Sequence, residues 1–212
     1  MFATILCNIL LITTALAAPL KPSISEASLI KVAPSTASCS GADFPAECAT
    51  ASTAQTALQA SFRDYEIVTF HTQAALVSLM LYESGDFKYN KNHWPGTPGQ
   101  GTRNMMSPTF VQEYAEWLAV HMPKKSGITA ANLATAKASG PAAVLELVNK
   151  KPENQFGSAA WYMIEKCPQS VRDGLAAGTQ EGWSTYITSC VGTTLTADRT
   201  AIYEKVMALG HW

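Results

Sequence analysis

The sequence predicts a mainly α-helical, single-domain fold carrying one long Gly-rich loop, and three observations lead there. Apolar residues recur at helical spacing through most of the chain. Sustained period-2 alternation is missing. The composition of the 212 residues, 47% hydrophobic and 15% charged, suits one globular core of ordinary size. A formal net charge of −1 leaves no basic footprint for nucleic acid and no polybasic patch for a membrane surface.

From the N-terminus, residues 1–18 read as a signal peptide. An uncharged apolar run ends in Ala15-Leu16-Ala17, the small-x-small pattern of a secretory cleavage site. Residues 19–38 mix Pro, Ser, Ala and Lys with little periodicity and read as a flexible tail or pro-segment. The domain proper is expected over 39–212, secreted and extracellular, with no membrane contact after cleavage. Cys7 lies in the leader, which leaves Cys39, Cys48, Cys167 and Cys190 for two disulfides. Three pairings are possible; local loop closure favours Cys39–Cys48 and Cys167–Cys190.

Helices are then expected in order. Thr53 to Phe62 is Ala-rich. His71 to Glu83 sets Leu76, Leu79, Met80 and Glu83 on one face, with Gly85 as a stop. Ser107-Pro108 is an N-cap followed by Pro at the first helical position, and Phe110, Val111, Tyr114, Trp117 and Leu118 line the face behind it. Further helices are expected over 141–148, Phe156 to Lys166 and Gly182 to Cys190. A last one runs from an N-cap at Thr196 to a stop at Gly210.

The segment from Gly85 to Met106 breaks this pattern. Its four Gly and two Pro deny it a helix, yet it holds aromatics, amides and a His, and long loops of this kind are usually functional or disordered. Glu83 stands just before it on an apolar helix face and in the last turn. Lost hydration and the helix dipole there both favour a protonated carboxyl, the requirement for a general acid. The plain alternative is a carboxylate tilted to solvent or paired with Lys88 or Arg103. Asp86 is the candidate second carboxylate, or else a surface turn residue. Tyr89, Asn90, His93, Gln100, Thr102, Arg103 and Asn104 combine flat rings, amides and hydroxyls, a mixture suited to sugar recognition. His71, His93, His121 and His211 show no metal-ligand spacing, and no metal or other cofactor is expected.

Tyr82-Glu83-Ser84-Gly85, followed by Gly99-Gln100-Gly101-Thr102-Arg103-Asn104-Met105, resembles the Glu-Ser and Gly-rich motif pair of the lysozyme superfamily. Its style is nearest to goose-type lysozymes, lytic transglycosylases and secreted fungal lysozyme-like muramidases. The resemblance implies a lysozyme-like helical domain that cleaves the β-1,4 linkages of peptidoglycan, with Glu83 as catalytic acid. Chitin, chitosan or a lyase reaction are the variants of that reading. A polysaccharide is then the expected partner, bound by a monomer. The opposing expectation is a non-catalytic secreted binding protein on the same scaffold, in which Glu83 is exposed with no groove beside it.

Overall fold

The computed structural model describes residues 23–212, and the expected signal peptide lies outside the described residues. Eleven α-helices run through the described residues: α1 (Glu26–Val32), α2 (Ala51–Asp64), α3 (Phe70–Glu83), α4 (Pro108–His121), α5 (Pro123–Ser126), α6 (Ala130–Ser139), α7 (Pro141–Val148), α8 (Pro152–Lys166), α9 (Gln169–Ala177), α10 (Gln180–Thr185) and α11 (Ala197–Met207). A 3₁₀ turn follows α1, and a π-helical stretch, Tyr186–Val191, continues α10. Extended pairing among the described residues is confined to two isolated bridges, Lys91 to Gly101 and Gly101 to Met106.

Local chemistry fixes the helix ends. The side chains of Ser25, Thr50, Thr69, Ser107, Thr179 and Thr196 each accept a hydrogen bond from a first-turn N–H, satisfying donors that have no helical partner. Thr129 and Asn132 form a reciprocal capping box on α6. At the other ends, Gly127 and Gly178 take the left-handed conformation after α5 and α9.

Packing is organised around α3 and α8. In α3 everything from Ala74 to Leu81 is buried, so this helix is enclosed on all sides rather than laid on a surface. In α8 the run Asn154–Met163 is buried in the same way. Helix α2 packs on α8, and α11 and α9 pack on α3. Trp161, Tyr114, Phe156, Leu58, Leu76 and Leu79 are among the large side chains enclosed where these elements meet. Trp161 is therefore core. The mainly α architecture is as expected, with helices over each predicted segment.

Within the stretch 19–38, the described part, 23–38, is not the flexible tail expected. Residues 26–32 are helical and docked: Ile24 and Leu29 are fully enclosed, Gln59 donates to the Ile24 carbonyl at 2.8 Å, and the Glu26 N–H donates to the Gln55 side chain at 2.8 Å. Two apolar residues in a Ser-rich stretch carry too little periodicity to show this, although they suffice to anchor it on α2. Helices α6 and α9 also escaped the periodic reading, since each buries only one or two residues.

One side chain joins both non-helical segments to the helices. Arg103 is 1% exposed, and its two terminal nitrogens donate to the carbonyls of Phe87, Tyr89 and Glu47 and to Oε1 of Gln155, at 2.6–2.9 Å. Its guanidinium also lies 5.1 Å from the centre of the Phe156 ring. Burial pulls its pKa down from 12.5 to about 9, against which the nearby Glu47 charge acts in its favour. The disulfide Cys39–Cys48 closes the segment that carries Glu47, and Cys167–Cys190 ties the end of α8 to the π-helical stretch.

Two stability changes are expected. Arg103→Met leaves at least three buried carbonyl groups without a donor, at about 1–3 kcal/mol each, so denaturant melts should show a loss of at least about 3 kcal/mol. Arg103→Lys should recover only part of it, since one ammonium cannot span acceptors on three segments. Removing Cys39–Cys48 by paired Ser substitution should cost about 2–3 kcal/mol through the entropy of a short closed loop.

Candidate functional site

Two segments with no regular structure build the site: the disulfide-closed stretch 39–48 and the loop after α3. Gly101 lets the loop fold on itself. A Cβ there would lie 2.4 Å from the Asn90 carbonyl, so only glycine allows the two arms to approach and make the Lys91 bridge. Asn92 fixes the tip by accepting from the N–H groups of Gly96 and Thr97 at 2.8 and 3.1 Å.

This folding sets Glu47 against His93. Glu47 is 7% exposed, and both its oxygens lie close to Nε2 of His93, at 3.0 and 3.1 Å. The Asn90 N–H reaches the same carboxylate at 3.3 Å, and Nζ of Lys91 stands 3.4 Å away. The imidazole stacks on Phe44 with ring centres 3.6 Å apart and planes 11° apart. Tyr89 and Trp94 flank it at 5.8 and 5.5 Å. With Nε2 committed to Glu47, Nδ1 is the ring nitrogen with no hydrogen-bond partner among the described residues. A carboxylate placed in this way holds the plane of the imidazole and turns its other nitrogen away from the pair.

The neighbouring charges reinforce this. For Lys91 partial burial alone would lower the pKa, but hydrogen bonds and charge from Glu146 and Glu47 hold it above the ordinary lysine value. The Tyr89 hydroxyl donates to Asp43 at 3.1 Å, and its pKa is raised by desolvation and by that acceptor.

Two open cavities adjoin the pair. One of about 200 Å³ is lined by Glu83, Tyr89, His93, Trp94, Gln100 and Met105, among others. The other, about 430 Å³, lies beyond Lys91 between Asp43, Phe44, Glu47 and Glu146. Trp94 is 67% exposed, so an aromatic face stands at the mouth of the first. Among the described residues no group of three or more His, Cys, Asp or Glu stands close enough to hold a metal ion.

The structure sorts the residues expected from sequence. Glu83, Tyr89, His93 and Gln100 are brought together on the 200 Å³ cavity. Asn90 is 6% exposed and borders the larger one. The proposed acid–base couple of Glu83 and Asp86 is not formed as expected. Oε1 of Glu83 accepts from Nη1 of Arg199 at 2.6 Å, and that guanidinium sits 4.0 Å over the Tyr82 ring. The carboxylate is thereby engaged by a guanidinium from α11 rather than set beside Asp86. Asp86 accepts from Ser35 on the tail and takes no part in lining the cavity. Thr102, Arg103 and Asn104 are corrected from ligand contacts to buried framework. Thr102 donates to the Gln155 carbonyl at 2.8 Å, Asn104 accepts from Ser158 at 2.7 Å, and Arg103 serves the backbone.

Glu47, Phe44 and Arg199 were missed. Arg199 lies 116 residues from Glu83, on a helix whose apolar stripe says nothing of its charged face. For Glu47 the one available signal was the short Cys39–Cys48 ring, which holds whatever it contains in a fixed place.

No known family model matches the chain, and no solved structure matches it. Among curated proteins it is similar to a bifunctional dioxygenase–epoxy alcohol synthase from Fusarium oxysporum (strain Fo5176), 36% identical over 135 residues. The match covers 64% of this chain, and the chain spans about a tenth of that enzyme's length, 10%. These findings overturn the resemblance to the lysozyme superfamily and, with it, the glycoside-hydrolase function on peptidoglycan or related polymers. The similar protein is named for oxygenation and epoxy-alcohol formation, not for glycan cleavage.

Proposed function

We propose that the chain is an acid–base enzyme that opens an epoxide, such as an epoxy alcohol, with water. The observation that carries this reading is the Glu47–His93 pair, Nε2 to carboxylate at 3.0 Å, on the edge of an open cavity. The name of the similar Fusarium enzyme supports the substrate class: epoxy alcohols are what its second activity is named for making. An oxygenation reaction would supply the substrate, and this chain would consume it.

The reaction needs no oxidant or reductant. His93 takes a proton from water while the water oxygen bonds to a ring carbon of the epoxide. The carbon–oxygen bond of the ring breaks, and the alkoxide regains a proton from the imidazolium or from solvent. Glu47 stabilises the imidazolium between those steps and keeps the ring oriented. Trp94 and Tyr89 offer faces for the organic part of the substrate. The two disulfides support an extracellular setting.

The test is mass spectrometry of products formed from a short 2,3-epoxy alcohol in ¹⁸O-labelled water. The wild-type chain should release a triol carrying one labelled oxygen. His93→Ala should lower the rate by about 10²–10⁴-fold, the usual contribution of a positioned acid–base group. Glu47→Gln should lower it as well, because a neutral amide no longer stabilises the imidazolium. Equal rates for wild type and His93→Ala, or no triol above buffer, would overturn the proposal.

A further inference from the structure

Beside the His93 cavity lies a recess of different character. It has a volume of about 150 Å³, and its walls are Leu79, Met105, Met106, Phe110, Tyr162 and Val191 together with the polar Asn104 and Ser107. Several of the polar atoms around it are already engaged. The Tyr162 hydroxyl donates to the Cys190 carbonyl at 3.2 Å, Asn104 Oδ1 accepts from Ser158, and Ser107 Oγ caps α4 by accepting from the Phe110 N–H. The edge-to-face rings of Phe110 and Tyr162, 5.1 Å between centres, and the two methionines supply most of its lining. A mainly apolar lining of this kind favours hydrocarbon.

Met105 lines this recess and also the cavity that His93 borders. One unbranched, rotatable side chain thus stands between the two spaces, and its rotation would join them. We infer that the two cavities together take an amphiphile, its oxygenated end beside His93 and an unbranched apolar tail in the recess. The volume sets the tail length. An apolar cavity of ~150 Å³ accommodates benzene, so the recess holds about six carbons. This assignment rests on the acid–base reading for the position of the polar end, while the tail site is measurable by itself.

The experiment is calorimetric titration of the disulfide-bonded chain with 1,2-alkanediols, from butane-1,2-diol to dodecane-1,2-diol. These have the head group that epoxide opening would generate and are not turned over. Affinity should rise about fourfold per methylene, up to a tail of about six carbons, and then level off. Val191→Trp, which fills the recess, should abolish the length dependence. Phe110→Ala, which enlarges it, should move the plateau to longer tails, so a failure of the tryptophan variant to fold leaves the measurement decisive. Affinity independent of length in the wild type would overturn the proposal, as would an unaltered length dependence in both variants. A length dependence that persists while His93→Ala keeps full epoxide turnover would sink the acid–base reading and leave the tail site standing. The reverse pair of results would sink the tail site alone.

Discussion

The geometry of the site depends on a buried cation with no carboxylate partner of its own. Arg103 is enclosed, and its hydrogen bonds go to three backbone carbonyls and one amide oxygen. Removing a guanidinium from water is expensive, and neutral acceptors recover that expense only if several converge. The convergence is informative. The carbonyls of Phe87 and Tyr89 belong to the loop after α3, that of Glu47 to the disulfide-closed segment, and the amide of Gln155 to α8. A single side chain thereby brings two irregular segments into register on a rigid helix. Those segments carry the rings and charges of the cavity, and among the described residues they form no strand of their own beyond isolated bridges.

Glu47 benefits most from that arrangement. Its carbonyl is held by Arg103, its carboxylate by His93, Lys91 and the Asn90 N–H, and its segment by the Cys39–Cys48 bond. Few degrees of freedom remain. An acid–base pair is effective when neither partner must reorganise as charge moves between them. The stacking of His93 on Phe44, from the same closed segment as Glu47, adds a second constraint on the ring plane.

The helices were legible because capping and periodicity are local. Ser107-Pro108 and Thr196 announce their helices within a few residues, and the apolar face of α3 is visible over four turns. Tertiary pairings are not local, and there the sequence was silent or misleading. The loop after α3 stands out by its Gly, Pro and aromatic content, yet its stretch Thr102-Arg103-Asn104 faces inward. Polar side chains in a Gly-rich loop look the same whether they await a ligand or satisfy the backbone. Glu83 illustrates the same ambiguity. Its position at the end of a buried face was read properly, whereas the Arg199 that engages it comes from a helix near the other end of the chain. The resemblance built on Glu83 and the Gly-rich run rested on both ambiguities at once.

The cavity is bordered by two polar pairs of unlike kind, and the difference between them bears on which could act. Arginine keeps its proton throughout the physiological range, so Glu83–Arg199 is a fixed dipole that shapes the local field and braces α11 against the end of α3. In Glu47–His93 the partner of the carboxylate is an imidazole, and the second ring nitrogen has no hydrogen-bond partner among the described residues. An acid–base centre needs one responsive pair and surroundings that do not respond with it. Lys91, held protonated between Glu47 and Glu146, belongs to those fixed surroundings. The loop therefore presents one imidazole among fixed charges, beside a recess with a mainly apolar lining. This combination suits chemistry at an oxygen atom on a largely hydrocarbon molecule.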